Sequence, residues 1–214
     1  MEIELIEKTI DFVKKSLEHG ERGHDWWHIQ RVYTNAKSIM ENESADRMIV
    51  FLASLLHDIA DAKFHDGDET IGPRIAQEFL TKNNVSKKTI DHVIAIIENM
   101  SYKSSLGQVT FKSIEMDIVQ DADRLDAIGA IGIARAFHYG GYKNREIYNP
   151  TIPPQLDMSK EEYKKNEGPT INHFYEKLLL LKNKINTETG KKMADDRHQF
   201  MVGFLEEFYK EVKE

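Results

Sequence analysis

Residues 46–58, DRMIVFLASLLHD, decide the fold class of this chain. Between Arg47 and His57 the residues are almost all apolar, so the segment has no polar side that would face water. A helix that is apolar all round lies in the interior of a protein. The stretch therefore predicts a central buried helix, and it ends on two polar residues, His57 and Asp58.

Apolar residues elsewhere recur every three or four positions, as on one face of an α-helix. These segments begin at Ile3, Ile29, Ile75, Ile90, Ile118, Ile171 and Phe200. Asp25 is a candidate N-cap for the second segment, and Gly129 and Gly132 would let another helix approach closely. No stretch alternates as a strand does. The sequence predicts an all-α fold of about eight helices around one core, in a single domain over residues 1–214.

Residues 138–168 interrupt the helical pattern. Three of the five prolines lie there, and Pro169 follows directly as a residue suited to a first helical turn. A connection of this length is uncommon in a compact domain unless it binds something, acts as a lid or is disordered. An ordered binding loop is favoured by its aromatic and cationic residues, which are Tyr139, Tyr142, Lys143, Arg145 and Tyr148.

Composition excludes several classes of protein. A net charge of -7 argues against binding a nucleic-acid polymer, which requires a basic face. The chain has no cysteine, which excludes disulfides and zinc–thiolate sites. The longest apolar run, IVFLASLL, is too short to span a bilayer, and the acidic N-terminus does not resemble a signal peptide. We therefore expect a soluble cytoplasmic protein that does not act at a membrane.

Four polar residues stand in or beside these apolar helical segments: His28, His57, Asp58 and Asp123. A carboxylate such as Asp58 at a helix C-terminus opposes the helix dipole by about 0.3–1 kcal/mol. Each residue alone has an ordinary structural explanation, but one divalent cation would satisfy all four. A site of two imidazoles and two carboxylates favours Mn²⁺, with Co²⁺, Fe²⁺, Mg²⁺ or Ni²⁺ as alternatives.

The ordered pattern of a histidine, an adjacent His-Asp pair and a late aspartate resembles the HD-domain metal-dependent phosphohydrolase superfamily. The strings GHDWWHIQRV, LLHDIAD, DGDE, VQDADRLDAIGAIGIARAF and NHFYEKLLLLK resemble its branch of small stand-alone bacterial nucleotide pyrophosphohydrolases. The resemblance extends from about Ile3 to Val212. It implies that the four residues are the metal ligands.

The resemblance also implies a catalytic residue and the number of metal ions. In related single-metal enzymes an acidic residue three positions after the His-Asp pair positions or activates water, and Asp61 occupies that position here. Many relatives have glutamate there, so the shorter side chain leaves its role open. Two-metal relatives carry extra histidines where this chain has Asn99 to Ser101. We therefore expect one metal ion.

Five further residues are candidates for contacting a substrate. His24, Lys63 and Arg124 are candidates to hold phosphates, Trp27 to stack on a base, and Asp126 to contact a sugar or support a ligand. Each also has a structural alternative. His24 could be a residue that starts a helix, and Trp27 could be a core residue. Lys63 and Arg124 could each form a structural ion pair.

The leading hypothesis is hydrolysis of a nucleoside or deoxynucleoside triphosphate to a monophosphate and pyrophosphate. The residues themselves indicate only metal-assisted cleavage of a phosphoester or phosphoanhydride, and the resemblance supplies the bond that is cleaved. Three alternatives stay open: a 5′-nucleotidase or other phosphomonoesterase or phosphodiesterase, a non-catalytic nucleotide sensor, and a non-haem iron oxygenase. The oligomeric state is open, with a homodimer as one alternative.

Overall fold

The computed structural model describes residues 2–18, 25–60, 68, 70–100 and 111–213. Throughout these ranges the regular structure is helical and no strand is present, which confirms the all-α prediction. The chain divides into two compact units, Met1–Asp123 and Arg124–Glu214. The prediction of a single domain over residues 1–214 stays a prediction.

The first unit contains six helices, counted over the described residues. They are α1 (Glu2–Ser16), α2 (Trp26–Met40), α3 (Arg47–Leu56), α4 (Ile71–Lys82), α5 (Lys87–Asn99) and α6 (Ile114–Asp126), which ends just beyond the unit boundary. Side chains cap the starts of three of them. Asp25 accepts from the backbone amide of His28, as its position predicted, Asp46 from those of Met48 and Ile49, and Ser86 from that of Thr89.

Helix α3 is the centre of the first unit, as its sequence predicted. It packs against α1, α2 and α5, and α4 packs in turn against α5. Every residue of α3 from Ile49 to Leu56 is buried. A buried leucine or isoleucine stabilises the fold by about 1.5–3 kcal/mol relative to exposure. The apolar run therefore fixes α3 in place, and with it the polar residues that follow its last turn.

The second unit contains four further α-helices and a 3₁₀ helix among the described residues. They are α7 (Gly129–Tyr142), α8 (Lys160–Lys165), α9 (Asn172–Glu176), the 3₁₀ helix (Leu178–Lys184) and α10 (Glu188–Lys213). Helix α10 packs against α7 and against the 3₁₀ helix. The aromatic ring of Phe204 on α10 lies 5.9 Å from that of Phe137 and 5.8 Å from that of Phe174.

One glycine of α7 explains a close approach inside the second unit. Gly129 has a φ of +73°, and a Cβ there would lie 3.0 Å from Cγ of Arg197 on α10. The prediction that Gly129 lets another helix approach is therefore confirmed. At Gly132 the prediction is wrong, because an added Cβ would meet the carbonyl of Ala127 in the preceding turn instead of a second helix.

Two predicted segments differ from the structure. The stretch from Ile171 to Ile185 is not one helix but α9 followed by the 3₁₀ helix, with a break at Lys177 (φ −145°). A 3₁₀ helix has three residues per turn, so Leu178 and Leu181 share one face, and both are buried. Pro169 lies two residues before the N-cap of α9, Ile171, and not in its first turn.

Residues 138–168 contain more regular structure than predicted. Helix α7 continues to Tyr142 through two glycines, and α8 lies inside the segment. Gly140 serves packing, because a Cβ there would collide with Oγ1 of Thr170, whereas a Cβ at Gly141 would meet open space. The backbone amide of Thr170 also donates to the carbonyl of Glu146 at 2.9 Å, which ties the two ends of the segment together.

None of the described helices is both long enough and apolar enough to cross a membrane.

Candidate metal centre

Helix α2 places His28 in its first turns, where Asp25 accepts from the His28 backbone amide at 3.0 Å. The imidazole is buried, with 1% of its side chain exposed. Its Nε2 lies 3.8 Å from Oδ2 of Asp58 and 3.6 Å from Oδ1 of Asp123. The ring therefore faces two carboxylates at distances longer than a hydrogen bond.

His57 is the C-cap of α3, directly after its apolar run. Its Nδ1 lies 2.9 Å from the backbone carbonyl of Ser54. A carbonyl can only accept, so Nδ1 is the protonated nitrogen and Nε2 keeps its lone pair. Among the described residues, Nε2 of His57 has no hydrogen-bond partner although it is buried. Such an arrangement is typical of a histidine whose second nitrogen binds a metal.

His28, His57 and Asp58 form a cluster that suits a cation. One ligand atom from each lies within 4.8 Å of the others, and this is the single group of its kind in the described part of the chain. The two imidazole rings meet edge to face, 5.4 Å apart. Two imidazole nitrogens and a carboxylate oxygen are a donor set that fits a divalent cation. Such a cation would also satisfy the buried lone pair on Nε2 of His57.

Asp123 reaches the cluster from α6. Its side chain is 37% exposed, and its Oδ1 lies 3.6 Å from Nε2 of His28. Its helix is held by two buried amides: Asn35 on α2 donates to the carbonyl of Ala122, and Gln120 donates to that of Met100, each at 3.0 Å. The sequence analysis missed Asn35. The available signal is its position seven residues, or two turns, after His28 on the same helix.

The predicted catalytic residue and substrate contacts fall into two groups. His24, Asp61 and Lys63 lie outside the described residues, so their roles remain predictions. Trp27 stands on α2 with 62% of its surface exposed. It is therefore not a core residue, which was its structural alternative, and its indole is accessible for stacking on a base.

Arg124 and Asp126 are engaged within the second unit. Arg124 is buried and donates to the backbone carbonyl of Lys184. Asp126 is 2% exposed, and its carboxylate accepts from the guanidinium of Arg135. Both contacts serve the fold, so phosphate binding by Arg124 and sugar binding by Asp126 stay predictions.

Comparison with known proteins places this cluster in a family. The model of the HD domain matches residues 26–128, a range that includes all four proposed ligands. The YpgQ protein of Bacillus subtilis is 37% identical over 99% of this chain and 95% of its own length. The chain belongs to the HD superfamily. An HD domain implies a divalent metal, which agrees with the donor atoms of the cluster.

Solved structures of HD proteins extend the likeness. An HD-superfamily hydrolase from Bacillus thuringiensis has a TM-score of 0.81 and 45% identity, covering 100% of this chain and 99% of that one. YpgQ of Bacillus subtilis in complex with ADP has a TM-score of 0.76 and 35% identity, covering 98% and 96%. The family and these neighbours support a metal-dependent phosphohydrolase.

Proposed function

We propose that this HD protein hydrolyses nucleoside or deoxynucleoside triphosphates to a monophosphate and pyrophosphate, with one divalent ion, Mn²⁺ in first place. The observation that carries the proposal is the cluster of His28, His57 and Asp58, whose ligand atoms lie within 4.8 Å of one another. Asp123 is the proposed fourth ligand, 3.6 Å from Nε2 of His28. A donor set of this kind suits metal-assisted phosphoryl chemistry.

Each residue has a defined task in the proposed reaction. His28, His57, Asp58 and Asp123 hold the ion, and the Ser54 carbonyl keeps the His57 ring in the tautomer that leaves Nε2 available. A divalent ion bound there acidifies water and neutralises charge that builds on a phosphoryl oxygen. Asp61 is the candidate to accept the proton of the attacking water.

The bond that breaks joins the α-phosphorus to the oxygen that bridges it to the β-phosphorus. Water supplies the new oxygen on the α-phosphorus, and pyrophosphate leaves with the bridging oxygen. Two features support a nucleotide as the substrate. YpgQ, which is similar over nearly the whole chain, has been solved with ADP, and the exposed Trp27 offers a ring on which a base can stack.

The proposal is tested by incubating Mn²⁺-loaded protein with a panel of the common NTPs and dNTPs and separating the products by ion exchange. Equal amounts of monophosphate and pyrophosphate are expected. Release of inorganic phosphate from monophosphates would identify a 5′-nucleotidase instead. Saturable nucleotide binding without turnover would identify a sensor.

An anaerobic repeat separates hydrolysis from oxygenase chemistry. Hydrolysis consumes water and no O₂, so the rate is expected to be unchanged when oxygen is removed. A rate that falls with oxygen would contradict the hydrolase and favour the non-haem iron alternative. Parallel assays with Co²⁺, Fe²⁺, Mg²⁺ and Ni²⁺ rank the ions against Mn²⁺.

A further inference from the structure

The second unit contains an open cleft of about 420 Å³. Two segments form its walls, residues 139–152, which include the end of α7, and residues 165–169, which begin at the last residue of α8. We call it the cationic cleft, after the three cations that line it: Lys143, Arg145 and Lys165. Its volume is within the range of about 300–1,000 Å³ typical of sites for small molecules.

Two of the cations are held in place by the fold. Lys143 and Arg145 follow the last turn of α7, where their backbone amides donate to the carbonyls of Tyr139 and Gly140 at 2.9 and 2.8 Å. The Arg145 guanidinium carbon lies 5.6 Å and the Lys143 Nζ 5.8 Å from the centre of the Tyr139 ring, so one aromatic ring contacts both cations.

Arg145 also joins the two walls, because its Nη2 donates to the backbone carbonyl of Asn166. Lys165 lines the cleft from that second wall and is exposed. The cations therefore come from two separate segments that a side-chain bond holds together. Lys143 and Arg145 are already held by these contacts, so these two side chains lose little freedom when a ligand binds.

The positive charge of the cleft is only partly matched by the protein. Across the described residues, none of the three cations forms an ion pair with a carboxylate within 4.0 Å, whereas Lys182, Lys191 and Lys210 of the same unit do. Two carboxylates line the cleft, Glu146 and Glu167. The Glu146 carboxylate accepts a hydrogen bond from the side-chain amide of Asn149 at 2.8 Å. Three cations that line one cleft, in a chain of net charge -7, favour an anion as their partner.

We propose that the cationic cleft binds a small phosphate-bearing molecule. A phosphate group presents several strong acceptor oxygens, so Lys143, Arg145 and Lys165 can contact one group together. Glu167 on the second wall can accept from a hydroxyl of the same ligand. None of these residues is a proposed metal ligand, so the site binds its ligand whether or not the metal centre is loaded.

The test uses inorganic pyrophosphate as the probe and the whole protein in excess EDTA, which removes the contribution of the metal centre. Calorimetry is expected to give saturable binding with one site per chain. The double variant Lys143→Gln/Lys165→Gln should bind about tenfold more weakly, a loss of about 1.4 kcal/mol. Lys192→Gln, which removes one positive charge at an exposed position on α10, should stay within about twofold of wild type.

A second measurement on the wild-type protein does not depend on how the variants fold. Pyrophosphate is expected to slow acetylation of Lys143 and Lys165 by a lysine reagent, read by mass spectrometry, and to leave Lys192 unaffected. Equal rates with and without pyrophosphate at both cleft lysines would overturn the proposal. So would a double variant that is folded and binds as tightly as wild type, or an equal loss of affinity in Lys192→Gln.

Discussion

The two units of the chain place histidine in opposite electrostatic surroundings. In the first unit, Nε2 of His28 faces two carboxylates at 3.6 and 3.8 Å. In the second unit, burial together with the charges of Lys177 and Arg145 lowers the pKa of His173 to about 3. Carboxylates attract a divalent cation to the first histidine, and cations repel one from the second. A histidine is a candidate ligand because of its neighbours and not because of its type.

The aspartates of α6 show the same contrast. Asp123 faces His28 and has 37% of its side chain exposed, whereas Asp126, three residues later, is 2% exposed and bonded to Arg135. The carboxylate of Asp126 is buried in an ion pair with Arg135, while that of Asp123 remains accessible to a ligand. Sequence spacing alone makes the two look alike. Their neighbours separate a candidate metal ligand from a structural ion pair.

The strongest test of this contrast uses two single variants, His57→Ala and Asp123→Ala. Both variants are expected to lose bound metal and to lose activity by about a thousandfold, or roughly 4 kcal/mol at 1.4 kcal/mol per factor of ten. The measurements are metal content by mass spectrometry and initial rate on the best substrate of the nucleotide panel.

His138→Ala is the matched control, because His138 is an exposed histidine on α7 that is absent from the cluster. It should keep its metal and its rate. If both His57→Ala and Asp123→Ala retained stoichiometric metal and full activity, the assignment of the metal centre would fail. A variant that lost activity but retained its metal would show that the substituted residue acts in catalysis and is not needed to bind the metal.

Arg135→Ala tests whether the Asp126–Arg135 ion pair stabilises the fold. Removing one partner of a fully buried ion pair costs about 3–5 kcal/mol. Arg135 is 28% exposed, so we expect about 2–3 kcal/mol less free energy of unfolding. Urea denaturation measures it. Metal content per folded chain should not change, and a variant that lost its metal while keeping wild-type stability would contradict the structural role of the Asp126–Arg135 pair.

His173 makes the stability of the protein depend on pH. Its folded pKa of about 3 lies below the ordinary value of 6.5, so between these values the unfolded chain binds a proton that the native chain does not. The native state is therefore destabilised as pH falls below 6.5, by up to about 1.4 kcal/mol per pH unit. Nothing is lost above 6.5, where both states are neutral.

The measurement compares urea denaturation of the wild type and His173→Gln at pH 7, 6 and 5. The variant has no titrating group at this position, so its stability should fall less steeply than that of the wild type. His138→Gln, which removes an exposed histidine, should follow the wild-type curve. Parallel curves for the wild type and His173→Gln would show that His173 titrates normally.

Periodicity predicted the helices of the first unit and α10, because each buries one apolar face or, for α3, every residue from Ile49 to Leu56. The same reasoning joined α9 to the 3₁₀ helix, since a spacing of three residues suits either helix type. It also assigned α7 too early an end, because Gly140 serves packing against Thr170 and the helix continues through it to Tyr142. These errors arise where tertiary contacts decide the local conformation.

The candidate ligands could be named from sequence because each stands at the end of an apolar segment or interrupts one, and because their order resembles the HD pattern. Their role as ligands stays a prediction. The sequence places Asn35 two turns after His28, but its contact with Ala122 could not be predicted, because the two residues are 87 positions apart. Nothing in a helical pattern indicates that partner. The ion pair of Asp126 could not be predicted either, since only the structure places Arg135 beside it.

Asn35 provides the finest test, because it is not a candidate ligand and contacts the backbone beside Asp123 at the Ala122 carbonyl. Asn35→Leu removes the buried hydrogen bond to the Ala122 carbonyl and should lower the free energy of unfolding by about 1–2 kcal/mol. The Asp123 carboxylate is then less well positioned, and the dissociation constant of Mn²⁺ should rise about tenfold, as on loss of a group that supports a ligand. Calorimetric titration of the metal-free protein measures it.

Gln120→Leu is the matched control, on α6, the helix that carries Asp123. Gln120 is also a buried amide that donates to a carbonyl at 3.0 Å, but its partner, Met100, is not adjacent to a proposed ligand. The two variants should lose similar stability, while only Asn35→Leu loses metal affinity. Equal losses of affinity in both would mean that destabilisation alone weakens the site. Wild-type affinity in Asn35→Leu would show that Asp123 is held without it, by the packing of Ile118, Ala122 and Leu125 in the interior.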